Sequence, residues 1–218
     1  MTYEKIKNDP ALKIYIECAN QSLAALGFTE HSFPHVSLVS NRAGQVLSDL
    51  GYDERTCELA KIAGYLHDIG NLVNRTDHSQ SGAIIAMTLL KEHGFPPKEI
   101  ADIACAIGNH DEGTGTPVNE IAAALILADK SDVRQSRVRE KNKKDFDIHD
   151  RVNYSVSKSL LRVDRENKEI ILDLTVDTKI SSVMEYFTIF MQRMNLCKKA
   201  AEKLGMDFRL FINSQALI

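Results

Sequence analysis

Ala63-Gly64-Tyr65-Leu66-His67-Asp68-Ile69-Gly70 ends an apolar run with a His and an Asp side by side and a Gly behind them. Imidazole and carboxylate are both strong ligands for a divalent transition metal. Neighbours on a helix point about 100° apart at ~3.6 residues per turn. The two can share a metal only where a helix end leaves room, and Gly70 is the expected end. A lone His-Asp pair is also a common solvated helix terminus, so its company decides its meaning.

Outward from that stretch the apolar spacing is helical. Asp53 is an N-cap for the helix that ends at the pair, with Leu59, Ile62, Ala63 and Leu66 inward. Upstream, Pro10 to Leu26 reads as one helix stopped by Gly27, and a second runs from about His35 to Gly51. Downstream, helices are expected from His78 to His93, from Pro96-Pro97 to Asn109-His110, and from Ile121 through Asp129 and beyond. The break between the last two is Asp111-Glu112-Gly113-Thr114-Gly115-Thr116-Pro117. Residues 1–145 are thus expected to form a helical domain.

From Val152 the period changes. Val152, Tyr154 and Val156 alternate with polar residues, and Ile170, Leu172, Leu174 and Val176 do so cleanly, with a turn expected at Asp164-Arg165-Glu166-Asn167. A long helix from about Ser181 to Leu204 follows, and Phe208–Ile212 is a candidate last strand. The fold class is therefore mainly α, a bundle with a small C-terminal α+β module over residues 146–218. That module is expected to pack on the bundle or on a second copy, making a homodimer a candidate assembly. Its Met and Phe stripe reads as core or dimer contact.

A net charge of −3 gives no reason to expect binding to nucleic acid polymers or acidic membranes. The apolar run Ile121–Ala128 is far shorter than the ~20 residues of a membrane span. Four dispersed cysteines without a CxxC spacing, and an N-terminus without an apolar signal core, point to a reduced, cytoplasmic setting.

Metal-ligand residue types recur at the helix boundaries: His35, then His67 and Asp68, His78, His110, and Asp129. Antiparallel neighbours in a bundle bring alternate ends to one level, so these positions can converge. Their number exceeds what one tetrahedral ion needs, which allows a two-metal site. In order and in context (Leu-His-Asp-Ile-Gly, Asp-His-Ser-Gln-Ser-Gly-Ala, Gly-Asn-His-Asp-Glu, Leu-Ala-Asp-Lys-Ser-Asp) residues 30–135 resemble the HD-domain metal-dependent phosphohydrolases. The resemblance implies an HD-type helical bundle. It also implies one metal held by His35, His67, Asp68 and Asp129, with Asp68 bridging to a second held by His78 and His110. The ions it implies are Mn²⁺, Fe²⁺, Mg²⁺, Co²⁺ or Ni²⁺, one or two of them. The reaction it implies is hydrolysis of a phosphoester of a small metabolite, nucleotides among the candidates, by a metal-activated water.

This chain departs from the subfamily that opens cyclic dinucleotides, which has Lys after His-Asp-Ile-Gly and Gly-Tyr-Pro later. Here Asn71 and Gly115-Thr116-Pro117 stand instead, which favours a smaller substrate. The alternatives are a di-iron oxygenase on the same scaffold, similar to myo-inositol oxygenase, and a ligand-binding sensor with a vestigial site. Besides Asp68 and His67, the expected catalytic residues are Lys130 and Arg134. On a continued sixth helix, Lys130, Arg134, Arg137 and Lys141 would form one basic stripe, with Arg42 a further phosphate candidate. Asp132 is a candidate to hold a ligand in place. Among these residues His31, His93 and His149 are read as caps or satisfied groups, and Glu112 slightly favours solvated loop.

Overall fold

The computed structural model describes residues 1–218. It opens with seven helices: α1 (Tyr3–Asn8), α2 (Pro10–Ala25), α3 (Phe33–Leu50), α4 (Glu54–Leu66), α5 (His78–Glu92), α6 (Pro97–Gly108) and α7 (Glu120–Lys130). Local chemistry sets most boundaries. Asp9 caps α2 by accepting from the Ala11 and Leu12 amides, with Pro10 at the first helical position. Asp53 accepts from the Thr56 amide at the head of α4, and Asn119 from the Ala122 amide at the head of α7. Gly51 ends α3 at φ 86°, a conformation that strains any residue with a Cβ.

After α7 come α8 (Ile148–Ser155), β1 (Val156–Asp164), β2 (Glu169–Val176), α9 (Val183–Lys203), β3 (Asp207–Ile212) and β4 (Gln215–Ala216). The strands make one sheet in the order β1-β2-β3-β4. β1 and β2 form an antiparallel hairpin, while β2 and β3 run parallel, with α9 as the crossover between them. One sheet face carries Ile170, Leu172, Leu174, Phe208, Leu210 and Ile212, all buried. The mainly-α fold with its small α+β appendage is as the sequence implied, and the expected last strand is β3.

Four details differ from expectation. α1, too short for a periodicity to show, is held by its contacts: the Tyr3 amide donates to Glu58 Oε1, and its ring meets the edge of Tyr65. Val152 and Tyr154 belong to a helix, because Asp147 and Asp150 close a capping box that starts α8. α7 stops at Lys130 rather than continuing. The Ser131 carbonyl accepts from Ser159 Oγ at 2.5 Å and Arg42 Nη1 at 3.0 Å, and so is not available to a further turn. Gly70 is no left-handed helix stop; α4 ends at Leu66 and a 3-10 turn runs over Ile69–Leu72.

α7 is the centre of the molecule. Every residue from Ile121 to Ala128 is buried, as an all-round apolar helix requires. It packs against α3, α4 and α6 on the bundle side and α9 on the other. A single cluster of 50 buried apolar residues holds Val39, Ile62 and Leu125 together with Leu172, Phe190 and Leu210, so packing runs unbroken across residue 145. No helix is long and apolar enough to cross a membrane.

Arg42 belongs to this join and not to a phosphate site. Its guanidinium binds the Ser131 carbonyl and hydroxyl and, at 2.6 Å, the Ser159 carbonyl of β1. Charged hydrogen bonds of this kind contribute about 1.5–3 kcal/mol each. Arg42→Met is expected to lower the unfolding free energy by about 2–3 kcal/mol while leaving the metal content unchanged. Urea denaturation curves that superimpose on the wild type would contradict this assignment.

Candidate metal centre

The bundle brings all six expected ligands to one place. His35 lies in the first turn of α3, His67 and Asp68 just past the end of α4, and His78 at the first position of α5. His110 follows the last turn of α6, and Asp129 is the penultimate residue of α7. His35, His67, His78 and His110 are each at most 3% exposed. His35 Nε2 and His67 Nε2 are 3.2 Å apart; each lies within 3.7 Å of both Asp68 Oδ2 and Asp129 Oδ1. Beside them, His78 Nε2 is 3.3 Å from His110 Nε2 and 3.5 Å from Asp68 Oδ1. Asp68 thus turns one oxygen to each half of the cluster.

The second nitrogen of every ring is anchored. Nδ1 of His67, His78 and His110 meets the carbonyls of Gly64 (2.8 Å), Arg75 (3.1 Å) and Ile107 (2.6 Å), and His35 Nδ1 meets Asp132 Oδ2 at 2.7 Å. Those acceptors fix the proton on Nδ1 and leave each Nε2 with its lone pair inward, as metal-binding imidazoles need. In each close Nε2 pair, two lone pairs then face each other unless a cation lies between. Asp68 Oδ2 is buried with no protein donor. A divalent ion answers both problems, and two three-residue groups, His35-His67-Asp129 and His67-Asp68-His110, have donor atoms close enough to hold one.

The electrostatics agree. Burial opposes charging of His67, yet the Asp68 and Asp129 carboxylates lift it to about 10. Burial, with His67 and Lys130 nearby, takes His110 down to about 3. Burial also lowers His78. Burial works against the Asp68 and Asp129 charges, but the surrounding cations hold both carboxyls well below their usual range. The two carboxylates thus favour a positive charge beside His67, which a bound cation would supply as well as a proton, while burial favours neutral His78 and His110.

Supporting residues explain two sequence features. Asn71, where the cyclic-dinucleotide subfamily has Lys, donates to the Asp68 carbonyl and to Asp68 Oδ1, at 2.9 and 3.0 Å, and fixes that carboxylate. Gly70 lets α5 approach: a Cβ there would lie 1.9 Å from the His78 carbonyl oxygen. Asp132 orients His35, as expected, and is itself gripped by Arg134 Nε at 2.7 Å. Removing the charge of such an outer carboxylate costs 10–100-fold in metal affinity. Asp132→Asn is accordingly expected to weaken metal binding by about tenfold or more, read by chelator competition. An unchanged affinity would mean that Asp132 serves only the fold.

Arg134 does not line the site. With α7 ended at Lys130 the basic stripe does not form, and Arg134 pairs with Asp132 and Glu30. Lys130 does line it, bound to Asp129 Oδ2 at 2.7 Å and Glu112 Oε2 at 3.3 Å. Lys141 is exposed, as is His149, and His93 pairs with Asp9 at 3.0 Å.

The cavity over the cluster has only polar and charged walls. The sequence reading missed several of them. His31 lies there, with Nδ1 at 2.7 Å from the Thr29 carbonyl and its pKa driven down by burial. Glu112 is no solvated loop residue; burial opposes its charge, but Lys130 and Arg193 take its pKa to about 2. Arg75, Arg137 and Arg193 complete the wall. Glu112 and Arg75 could have been suspected from their nearness to His110 and His78; nothing local marks Arg193, far along the chain on α9.

A family model for the HD domain matches residues 33–154, more than half of the chain. The chain belongs to the HD-domain superfamily. HD domains bind divalent metals, and the HD ligand order is the one whose side chains converge here. An uncharacterized protein of Methanocaldococcus jannaschii, MJ1020, is 27% identical over 172 residues, which are 68% of this chain and 66% of that protein, just under two thirds of its length. A crystal structure of a "predicted HD superfamily hydrolase" from an uncultured Thermotogales bacterium is 27% identical, with a TM-score of 0.43 over 60% of this chain and 73% of that one.

Proposed function

We propose that this HD protein is a metal-dependent phosphohydrolase acting on a small phosphomonoester. The observation that carries the reading is the ring of cations around the ligand cluster. Arg75, Lys130, Arg137 and Arg193 line one polar cavity with Asp68, Asp111, Glu112 and Asp129. Four cations offset four carboxylates, so the lining is neutral by itself and each bound divalent ion adds two positive charges to it, which suits a phosphate dianion. A diester's single charge matches less well. An oxygenase acting on a neutral polyol would gain nothing from four buried or half-buried cations.

Bound in the cluster, a divalent ion supplies positive charge to the phosphoryl oxygens and lowers the pKa of the attacking water. The chain supplies the rest. Asp68 and Asp129, with His35, His67, His78 and His110, form the ion's bed. Arg137, only 3% exposed, is pinned by the Glu30 and Asp132 carbonyls through Nε and Nη1, and presents its other edge to the cavity. Arg75 sits against His78 Nε2 at 3.3 Å, and its guanidinium lies over the Phe28 ring. His31, protonated on Nδ1 toward Thr29, leaves Nε2 as an acceptor for a water or a substrate hydroxyl. Lys130 brings its charge to where the phosphoryl oxygens would lie.

Metal-loaded protein is expected to release phosphate from p-nitrophenyl phosphate or a panel of phosphorylated metabolites in preference to bis-p-nitrophenyl phosphate. Absence of phosphate release from every monoester would sink the reading. Lys130→Met keeps the stem and removes the charge. It is expected to retain the metal and to lose ~1–3 kcal/mol of transition-state stabilisation in kcat/KM. Wild-type kinetics in this variant would remove Lys130 from the reaction.

A further inference from the structure

Among the four cations of the cavity, three are tied down. Lys130 is held between Asp129 and Glu112, Arg137 is pinned by two backbone carbonyls, and Arg75 leans on His78 and Asn71. Arg193 differs. It comes from the middle of α9, outside the residues that match the HD family, and reaches the cavity across the join between bundle and sheet. Its guanidinium lies over the Phe190 ring, 4.3 Å from the centroid, which sets the plane of the fork. Its protein partner is Glu112 Oε1, 2.5 Å from Nε. That contact is a close ion pair without hydrogen-bond alignment, and neither Nη1 nor Nη2 has a hydrogen-bond partner in the protein; theirs is the edge suited to gripping two oxygens of a phosphoryl group.

We propose that Arg193 is a substrate-binding residue of this centre, a guanidinium delivered by the C-terminal helix to the phosphoryl group, with Glu112 and Phe190 holding it in readiness. The metal bed is then made by the bundle and the anion grip in part by the appendage. Neither half alone is a complete site. This rests on the phosphohydrolase reading, and it adds the residue that makes the C-terminal module part of the active site. Lys could not replace Arg193 fully, because an ammonium offers no flat edge to stack on Phe190 and no fork.

The test uses the full chain loaded with Mn²⁺ and inorganic phosphate as the probe, followed by isothermal titration, with metal content and melting temperature measured on each variant. Wild-type protein should bind phosphate with Mn²⁺ present. Arg193→Met should weaken that binding at least tenfold with the metal content unchanged. Arg193→Lys, the milder change should the Met variant fold poorly, should weaken it severalfold. Wild-type binding with both variants within twofold of it would overturn the role of Arg193 and leave the phosphohydrolase reading standing. Failure of the wild type itself to bind phosphate would overturn both. Loss of metal in Arg193→Lys along with phosphate would also reject the proposal, since it would make Arg193 part of the metal bed instead.

Discussion

Protein carrying Asp68→Ala is expected to come through purification having lost most of the metal that the wild type carries. The expectation follows from where the two oxygens lie. Oδ2 is 3.5 Å from His35 Nε2 and 3.3 Å from His67 Nε2; Oδ1 is 3.5 Å from His78 Nε2. Both halves of the cluster use this one carboxylate, and it is the one side chain that turns a separate oxygen to each. Its removal also leaves His67 with only Asp129 to favour a positive charge. By the same geometry His78→Ala and His110→Ala should lower the metal count from about two to about one if the centre is dinuclear, and leave it unchanged if it is mononuclear. Elemental analysis decides among these outcomes. Wild type and Asp68→Ala equally free of metal would dispose of the centre altogether.

Gly70→Ala is expected to destabilise the fold by about 3 kcal/mol or more, at or above the usual range for overpacking. A Cβ at this position would lie 1.9 Å from the His78 carbonyl oxygen and 2.5 Å from the Gly82 amide nitrogen. Both are backbone atoms of α5, so no side chain can swing aside; the whole helix start must move. His78 is the first residue of that helix, and its ring would move with it. The second half of the metal cluster should therefore loosen together with the fold. Gly108→Ala is the control, since every contact a Cβ would make there lies at 3.6 Å or beyond, ordinary van der Waals distance. Chemical denaturation with Gly70→Ala within about 1 kcal/mol of wild type would show that α5 has more freedom than its packing implies.

The ligand cluster was legible in the sequence because helix ends carry local signals. Caps, prolines and glycines place each terminus to within a residue or two, and His35, His67, Asp68, His78, His110 and Asp129 all sit at such ends. The end of α7 was not legible. What stops it is a carbonyl claimed by Ser159 and Arg42, from β1 and α3, and no spacing near residue 131 shows that. The same holds for the cation ring. Arg137 and Arg193 reach the cavity only through contacts with Glu30, Asp132 and Glu112, each set by the tertiary fold. Local patterns therefore gave the metal-binding half of the site and pointed to Lys130 and Arg137 in the cation ring, though by a helical stripe that does not form, while Arg75 and Arg193 depended on packing. α8 shows the limit of alternation as a strand signal: over Val152–Val156 a capping box outweighed it.

The place of α9 in the chain has a bearing on synthesis. α7 is buried on all sides only when α9 covers it, and α9 begins some fifty residues after α7 ends. At ribosomal rates of about 5–20 residues per second, the most apolar helix waits several seconds for its cover. All six ligating side chains emerge before then, on a bundle still lacking its outer layer. Each nascent chain thus passes through a sticky, half-roofed state in which the six residues of the cluster are already made and the outer layer is not. Cellular yield should depend on how fast that roof arrives as much as on the stability of the completed fold.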